Sequence, residues 1–218
     1  MKLVAESFSW PFRGAWKSAW WPGLLAVLLL PIAFIPLLGY AIAATRAAEI
    51  TPADGPPRWK LSPRLLWDGA WTSLAVALFT APFALAFNPL AALLFSAHVW
   101  TGNDVAVSQL YAHVAAVFLL ALPWGLLFLL HMPHATARFA HTGRFTDMFD
   151  LAQSIRAVSR DFATWNIAAA AIVTAWAVGL ACVGLLCVGL APGVFYAILV
   201  GAHASAALHH QGTNPPTR

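Results

Sequence analysis

Five long apolar stretches, none of which contains Asp, Glu, Lys or Arg, set the strongest constraint on how this chain folds. They cover residues 22–45, 69–97, 107–131, 164–186 and 188–208. A helix rises 1.5 Å per residue and crosses the hydrocarbon core of a bilayer in roughly 20 residues, so each stretch is long enough for one crossing. The pattern predicts an all-α integral membrane protein with about five transmembrane helices.

Prolines interrupt the first two stretches. Pro31 and Pro36 lie in the first, and Pro82 and Asn88-Pro89 lie in the second. Proline lacks a backbone N–H and kinks or ends a helix. We therefore expect a first span that either crosses fully or is broken or re-entrant, and a kinked second span followed by a short interfacial or re-entrant piece.

Composition supports a membrane protein and excludes several other classes. Of the 218 residues, 61% are apolar and 9% are charged, whereas a soluble domain has about 45–50% and 25%. The net charge of +4 comes from basic residues that flank the apolar stretches, so we expect no nucleic-acid partner. The two cysteines, Cys182 and Cys187, lie within an apolar run and form no metal or redox motif.

Two segments have the spacing of amphipathic helices that lie at the membrane surface. Residues 6–20 place aromatic side chains among three charged ones. Residues 145–162 place an apolar stripe, which includes Met148 and Ile155, at three- and four-residue spacing. In the second segment Arg144, Arg156 and Arg160 are the expected contacts to lipid headgroups. We predict one membrane-embedded domain over residues 1–208 and a flexible tail over 209–218.

The distribution of basic residues predicts the orientation. Five simple spans with a cytoplasmic C-terminus leave nine Lys and Arg inside and three outside. If the first stretch does not fully cross, all twelve lie inside. Both alternatives predict a multi-pass protein of the prokaryotic cell membrane with its C-terminus in the cytoplasm.

Histidines are the main ionisable groups within the apolar stretches. His113 lies in the third stretch, and Tyr196 and His203 are seven residues apart in the last, so they share a helix face. They are either polar groups bonded between helices or axial ligands of haem or chlorophyll magnesium. No cofactor and no metal site is predicted. Histidines at the ends of stretches or in connections are expected to face solvent: His98, His131, His134 and His141.

The last stretch carries small residues at every fourth position. These are Gly189, Gly193, Ala197, Gly201 and Ser205. Small residues on one face let a second helix approach closely within lipid. We therefore predict a helix-packing face, either within the monomer or against a partner protein.

No catalytic motif is present: the sequence has no nucleophile elbow, Walker loop, HExxH or dinucleotide fingerprint. The dense polar cluster of Arg138, Arg144, Asp147 and Asp150 is compatible with a membrane hydrolase, but a basic helix on anionic headgroups explains it with fewer assumptions. We expect no enzymatic activity.

Several short motifs occur in an order that resembles a known family. They are Leu38-Gly39-Tyr40, Pro57-Arg58-Trp59, Gly69, Gly143-Arg144-Phe145, Phe149-Asp150, Phe195-Tyr196-Ala197 and Ala202-His203. In this order they resemble the prokaryotic membrane-protein family catalogued as domain of unknown function 4013, over about residues 8–208. The resemblance implies a multi-helix membrane protein and assigns no activity.

These observations favour a non-enzymatic accessory or scaffold subunit that packs against lipid and other integral membrane proteins. The uncharged spans and the small-residue face are the basis of this hypothesis. A passive carrier or channel for a small neutral or lipidic solute is the alternative, because broken helices often line transport sites. A haem- or chlorophyll-binding subunit of an electron-transfer or light-harvesting complex is a further alternative.

Overall fold

The computed structural model describes residues 2–97, 104–182 and 189–212, with side chains through residue 208. The described part is helical, with short 3₁₀ turns at Trp10–Phe12 and Phe145–Met148. The helices are α1 (Lys2–Ser9), α2 (Trp16–Leu28), α3 (Leu30–Ile50), α4 (Pro63–Ser96), α5 (Val105–Thr142), α6 (Leu151–Arg160), α7 (Phe162–Ala181) and α8 (Leu190–Gly212). The all-α prediction is confirmed.

Five of these helices are long and apolar enough to cross a membrane: α3, α4, α5, α7 and α8. This count confirms the fold class predicted from the apolar stretches. The chain forms two compact units, one of residues 1–73 with 130–218 and one of residues 74–129, which holds most of α4 and α5. His98, Cys187 and the side chains of the predicted tail 209–218 lie outside the described residues, and α8 continues to Gly212.

The first apolar stretch breaks at one residue. Leu29, with φ −96° and ψ 27°, separates α2 from α3, and Pro31 lies in the first turn of α3. The chain folds back here: Gly14 and Gly55 adopt positive φ and pack against the backbones of Asp54 and Arg13, respectively. The segments before α2 and after α3 therefore lie at the same end of this unit. That the first stretch is re-entrant in the membrane stays a prediction.

The N-terminal segment is not one helix. Residues 6–20, predicted as a single interfacial helix, are divided among the end of α1, the 3₁₀ turn and the start of α2. Pro11 and the left-handed Gly14 separate the parts. Trp10 is completely buried, so this part of the segment is packed into the protein rather than laid on a surface.

Helix α8 is the centre of the larger unit. In the most apolar 18-residue segment of α8, 61% of the residues are buried, compared with 28% in that of α7 and 33% in that of α3. Close crossings hold its neighbours. Gly193 of α8 packs on Gly179 of α7, where a Cβ on Gly193 would lie 2.5 Å from the Gly179 carbonyl oxygen. Glycine removes the side chain that would otherwise separate the two backbones.

The segment 145–162 also differs from its prediction. A 3₁₀ turn and α6 replace the single amphipathic helix. The buried face of α6 carries Ser154 and Val158, whereas Ile155 of the predicted apolar stripe is 49% exposed. The difference arises because hydrogen bonds to a buried polar serine, described below, determine which face packs.

Helices α4 and α5 have 34 and 38 residues. Helix α4 continues through both Pro82 and Pro89, so the predicted separate interfacial piece is absent from it. Each proline removes one helical hydrogen bond without ending the helix, as occurs in membrane helices where neighbouring groups compensate. Within residues 74–129, Trp124 Nε1 donates to Thr80 Oγ1 at 3.2 Å and joins the two helices.

Candidate functional site

His203 and Tyr196 hold the N-terminal segment against α8. The Ser7 hydroxyl oxygen lies 2.9 Å from His203 Nδ1, and both residues are buried. Trp10 lies against the same imidazole, with 5.4 Å between ring centroids. The Tyr196 hydroxyl donates to the Phe8 carbonyl oxygen at 3.1 Å. The predicted polar interior on α8 is therefore built around α1 and the turn that follows it.

An aromatic stack ties the loop after α3 to the helical core. Tyr40 stacks on Trp59 with 4.2 Å between centroids, and its hydroxyl donates to the Pro57 carbonyl oxygen at 2.8 Å. Phe195 of α8 also packs against this group, with its ring centroid 5.9 Å from that of Tyr40. Three separate motifs of the family resemblance therefore meet at one place.

An ion pair links the C-terminal part of α3 to α4 and α5. Arg46 Nη2 lies 3.1 Å from Asp68 Oδ2, and Arg46 Nε donates to the Ala140 carbonyl oxygen at 2.9 Å. Asp68 is only 4% exposed. One turn later, Glu49 Oε1 lies 2.8 Å from His141 Nδ1. These contacts place the ends of α3 and α5 side by side.

A second polar cluster fixes the 3₁₀ turn and α6 onto α5. Arg138 Nη2 donates to the carbonyl oxygens of Asp147 and Asp150, each at 3.1 Å. His131 donates to the Met148 carbonyl oxygen at 2.9 Å through Nε2, and its Nδ1 lies 3.0 Å from Ser154 Oγ. The arginine thus bonds backbone carbonyls, which is a structural use of the polar cluster seen in the sequence.

The expectation that His131 and His134 face solvent is wrong. They are 1% and 8% exposed. Together with Arg138 they follow the spacing i, i+3 and i+7, which places all three on one face of α5. This spacing indicates a shared face. The prediction of solvent exposure fails because it considers only the position of the histidines at the end of an apolar stretch. The partnership of Arg46 with Asp68 had no comparable signal in the sequence.

The small-residue face is divided between contacts within the chain and open space. Gly193 packs on Gly179, and Ala197 is completely buried in a cluster with Ala175 of α7. Gly189 packs on the backbone of Cys182, and Ser205 is 5% exposed. In contrast, a Cβ on Gly201 would meet no described atom within 4 Å.

His113 and the predicted headgroup contacts lie on the exterior of the described chain. His113 is exposed, and its Nδ1 donates to the Gln109 carbonyl oxygen at 2.7 Å. Arg144, Arg156 and Arg160 are all exposed. Axial ligation by a histidine and headgroup contact by these arginines stay predictions. Among the described residues, no three His, Cys, Asp or Glu side chains are grouped to hold a metal ion.

Comparison with known proteins gives one match. No curated protein and no solved structure matches the chain. The model of the family described as "Protein of unknown function (DUF4013)" matches residues 23–207. The matched range contains α3 to α7, most of α8, and the contacts among Tyr40, Trp59 and Phe195. Because this match covers most of the 218 residues, the chain belongs to the DUF4013 family.

Proposed function

We propose that this protein is a non-enzymatic accessory or scaffold subunit of the prokaryotic cell membrane, with its C-terminus in the cytoplasm. It acts by packing its helices against lipid and other integral membrane proteins. The observation that supports this role best is the exposure of α4 and α5. In the most apolar 18-residue segment of each helix only 6% of the residues are buried within the chain, compared with 61% in that of α8.

Many large apolar side chains are exposed along this helix pair. Leu85 is 77% exposed, Leu122 74% and Phe118 72%. Residues 74–129 contain a single charged side chain, Asp104. Contiguous apolar surface on this scale indicates contact with lipid or protein. A segment with so few ionisable groups has little with which to perform acid–base chemistry or bind a charged solute.

Site-specific photo-crosslinking in native membranes tests the role. We place a photoreactive phenylalanine analogue at Leu85, Phe118 or Leu122, and at Ile32 of α3 as the control, which is 85% exposed. The proposal predicts discrete protein adducts from at least one of the α4 and α5 positions, and the same partner in mild-detergent purifications. The control should give lipid adducts only.

Two results would contradict the proposal. The first is lipid adducts alone at every α4 and α5 position, together with a purified protein that carries no stoichiometric partner. The second is catalytic turnover or solute flux by the purified, reconstituted chain, if a variant with alanine at Leu85, Phe118 and Leu122 shows the same turnover or flux. The absorption spectrum of the same sample tests for haem or chlorophyll.

A further inference from the structure

A basic cleft of about 180 Å³ lies between the C-terminal part of α3 and the start of α4. Its lining includes Arg46, Arg58, Lys60 and Arg64, with Asp68 as the one carboxylate. Pockets for drug-sized ligands measure about 300–1,000 Å³. The cleft is therefore suited to a small group, and its charge selects an anion.

Three of the four cations are available to a ligand. Arg46 is engaged by Asp68 and by the Ala140 carbonyl oxygen. Within the described part of the chain Arg58, Lys60 and Arg64 form no ion pair, and all three are exposed at the cleft. The carboxylate therefore neutralises the cation that ties the helices together, and a net positive charge remains at the opening.

The start of α4 adds to this positive potential. Arg64 lies in the first turn of the helix, which has no acidic residue. A cation at a helix N-terminus meets the positive end of the helix dipole, which is unfavourable unless an anion binds there. Ser62 Oγ accepts from the Leu65 amide at 3.1 Å, so its hydroxyl proton remains to donate to a ligand.

The cleft lies at the ends of α3 and α4, which are long and apolar enough to cross a membrane, and the ends of such helices reach the lipid headgroups. Its residues belong to the last turns of α3, the connection and the first turns of α4. Next to it on α4, Leu66 and Trp67 are 44% and 58% exposed. Exposed tryptophan at a helix end is typical of the membrane interface, and these side chains offer an apolar surface to acyl chains.

We infer that this cleft binds the phosphate of an anionic phospholipid headgroup, through Arg58, Lys60 and Arg64. Basic pockets between transmembrane helices bind lipid headgroups of this kind. The inference goes beyond the accessory role, because it names a lipid site that needs no protein partner. It also differs from the predicted contacts on and before α6, where the arginines lie on an open surface.

The test compares lipid retention by two variants of equal charge. The cleft variant carries Lys60→Gln and Arg64→Gln, and the control carries Lys2→Gln and Lys17→Gln. Each removes two exposed cations, and neither disturbs the pair of Arg46 and Asp68. Purified, delipidated protein is titrated with phosphatidylglycerol, phosphatidylcholine or inorganic phosphate, and bound species are counted by native mass spectrometry.

We expect one phosphatidylglycerol to bind the wild type in preference to phosphatidylcholine. The cleft variant should bind it about 30-fold more weakly, because each cation that faces the headgroup contributes about 1 kcal/mol. The control should bind it within a factor of about three of the wild type, because Lys2 and Lys17 lie outside the cleft. Thermal unfolding of both variants should match the wild type. Equal losses in the two variants would show diffuse surface attraction and overturn the inference. Binding of inorganic phosphate with no preference for phosphatidylglycerol would overturn the lipid as the source.

Discussion

Because α3 and α4 cross closely, even a methyl side chain at the crossing should lower the free energy of unfolding. Gly39 faces Gly69 across this crossing. A Cβ on Gly39 would lie 2.9 Å from the Leu65 carbonyl carbon and 3.1 Å from the Gly69 amide nitrogen, and would overlap the Leu65 carbonyl oxygen. Ordinary carbon contacts lie at about 3.5–4.0 Å. The obstructing atoms are all backbone, so Gly39→Ala forces the two helices apart.

The expected cost follows from this overlap. Overpacking of a tight core costs about 1–3 kcal/mol. For a chain of this length each kcal/mol lowers the melting temperature by about 2–4 °C, so the loss should be roughly 2–12 °C. The separation also stretches the ion pair between Arg46 and Asp68, which joins the same helices.

Thermal unfolding in detergent, followed by the fluorescence of the eleven tryptophans, measures this loss. Gly125→Ala is the matched control, because a Cβ there meets no described atom within 4 Å. Alanine favours a helix by about 0.8–1.0 kcal/mol over glycine, so the control should be neutral or more stable. If Gly39→Ala unfolds at or above the temperature of Gly125→Ala, the close crossing is not present in the folded protein.

Three further predictions test other contacts. Asp68→Ala leaves a partly buried cation without its carboxylate and should lower the free energy of unfolding by about 3 kcal/mol in chemical denaturation; a loss below about 1 kcal/mol would contradict the role of this pair. Ser7→Ala removes the partner of His203, should cost about 1 kcal/mol, and should speed limited proteolysis within the N-terminal segment; an unchanged cleavage rate would refute the docking. Cysteines introduced at Lys17 and Asp54 should react with an impermeant maleimide from the same side of the membrane, and labelling from opposite sides would refute the hairpin of α2 and α3.

The membrane-crossing helices could be predicted because the absence of charge over about 20 residues is a local signal. The break at Leu29 is less visible, since leucine favours a helix and Pro31 can either kink a helix or begin one. The return of the chain depends on contacts between Gly14 and Asp54 that are forty residues apart in the sequence. No periodicity within a window reveals such a pairing.

The candidate sites could be predicted only where small or apolar residues determine the packing. Gly193 follows from its spacing, because small residues on one face allow helices to approach. The buried face of α6 does not follow from spacing, because hydrogen bonds of Ser154 with His131 and Arg138 hold this polar residue on the buried side. A pattern search that assumes an apolar buried face selects Ile155 instead. The cleft beside α4 combines residues from three segments, which no single motif contains.

The bond between Ser7 and His203 has a consequence for the order in which the protein matures. The two residues are 196 positions apart, so α1 is synthesised long before its partner in α8. Contacts of such separation form late in folding, because the entropy of closing the loop must be overcome first. Until α8 is made, the aromatic N-terminal segment has no partner from this interface. The interface can therefore close only after α8 has been synthesised, and a truncated product lacking α8 should expose the N-terminal segment to chaperones and proteases.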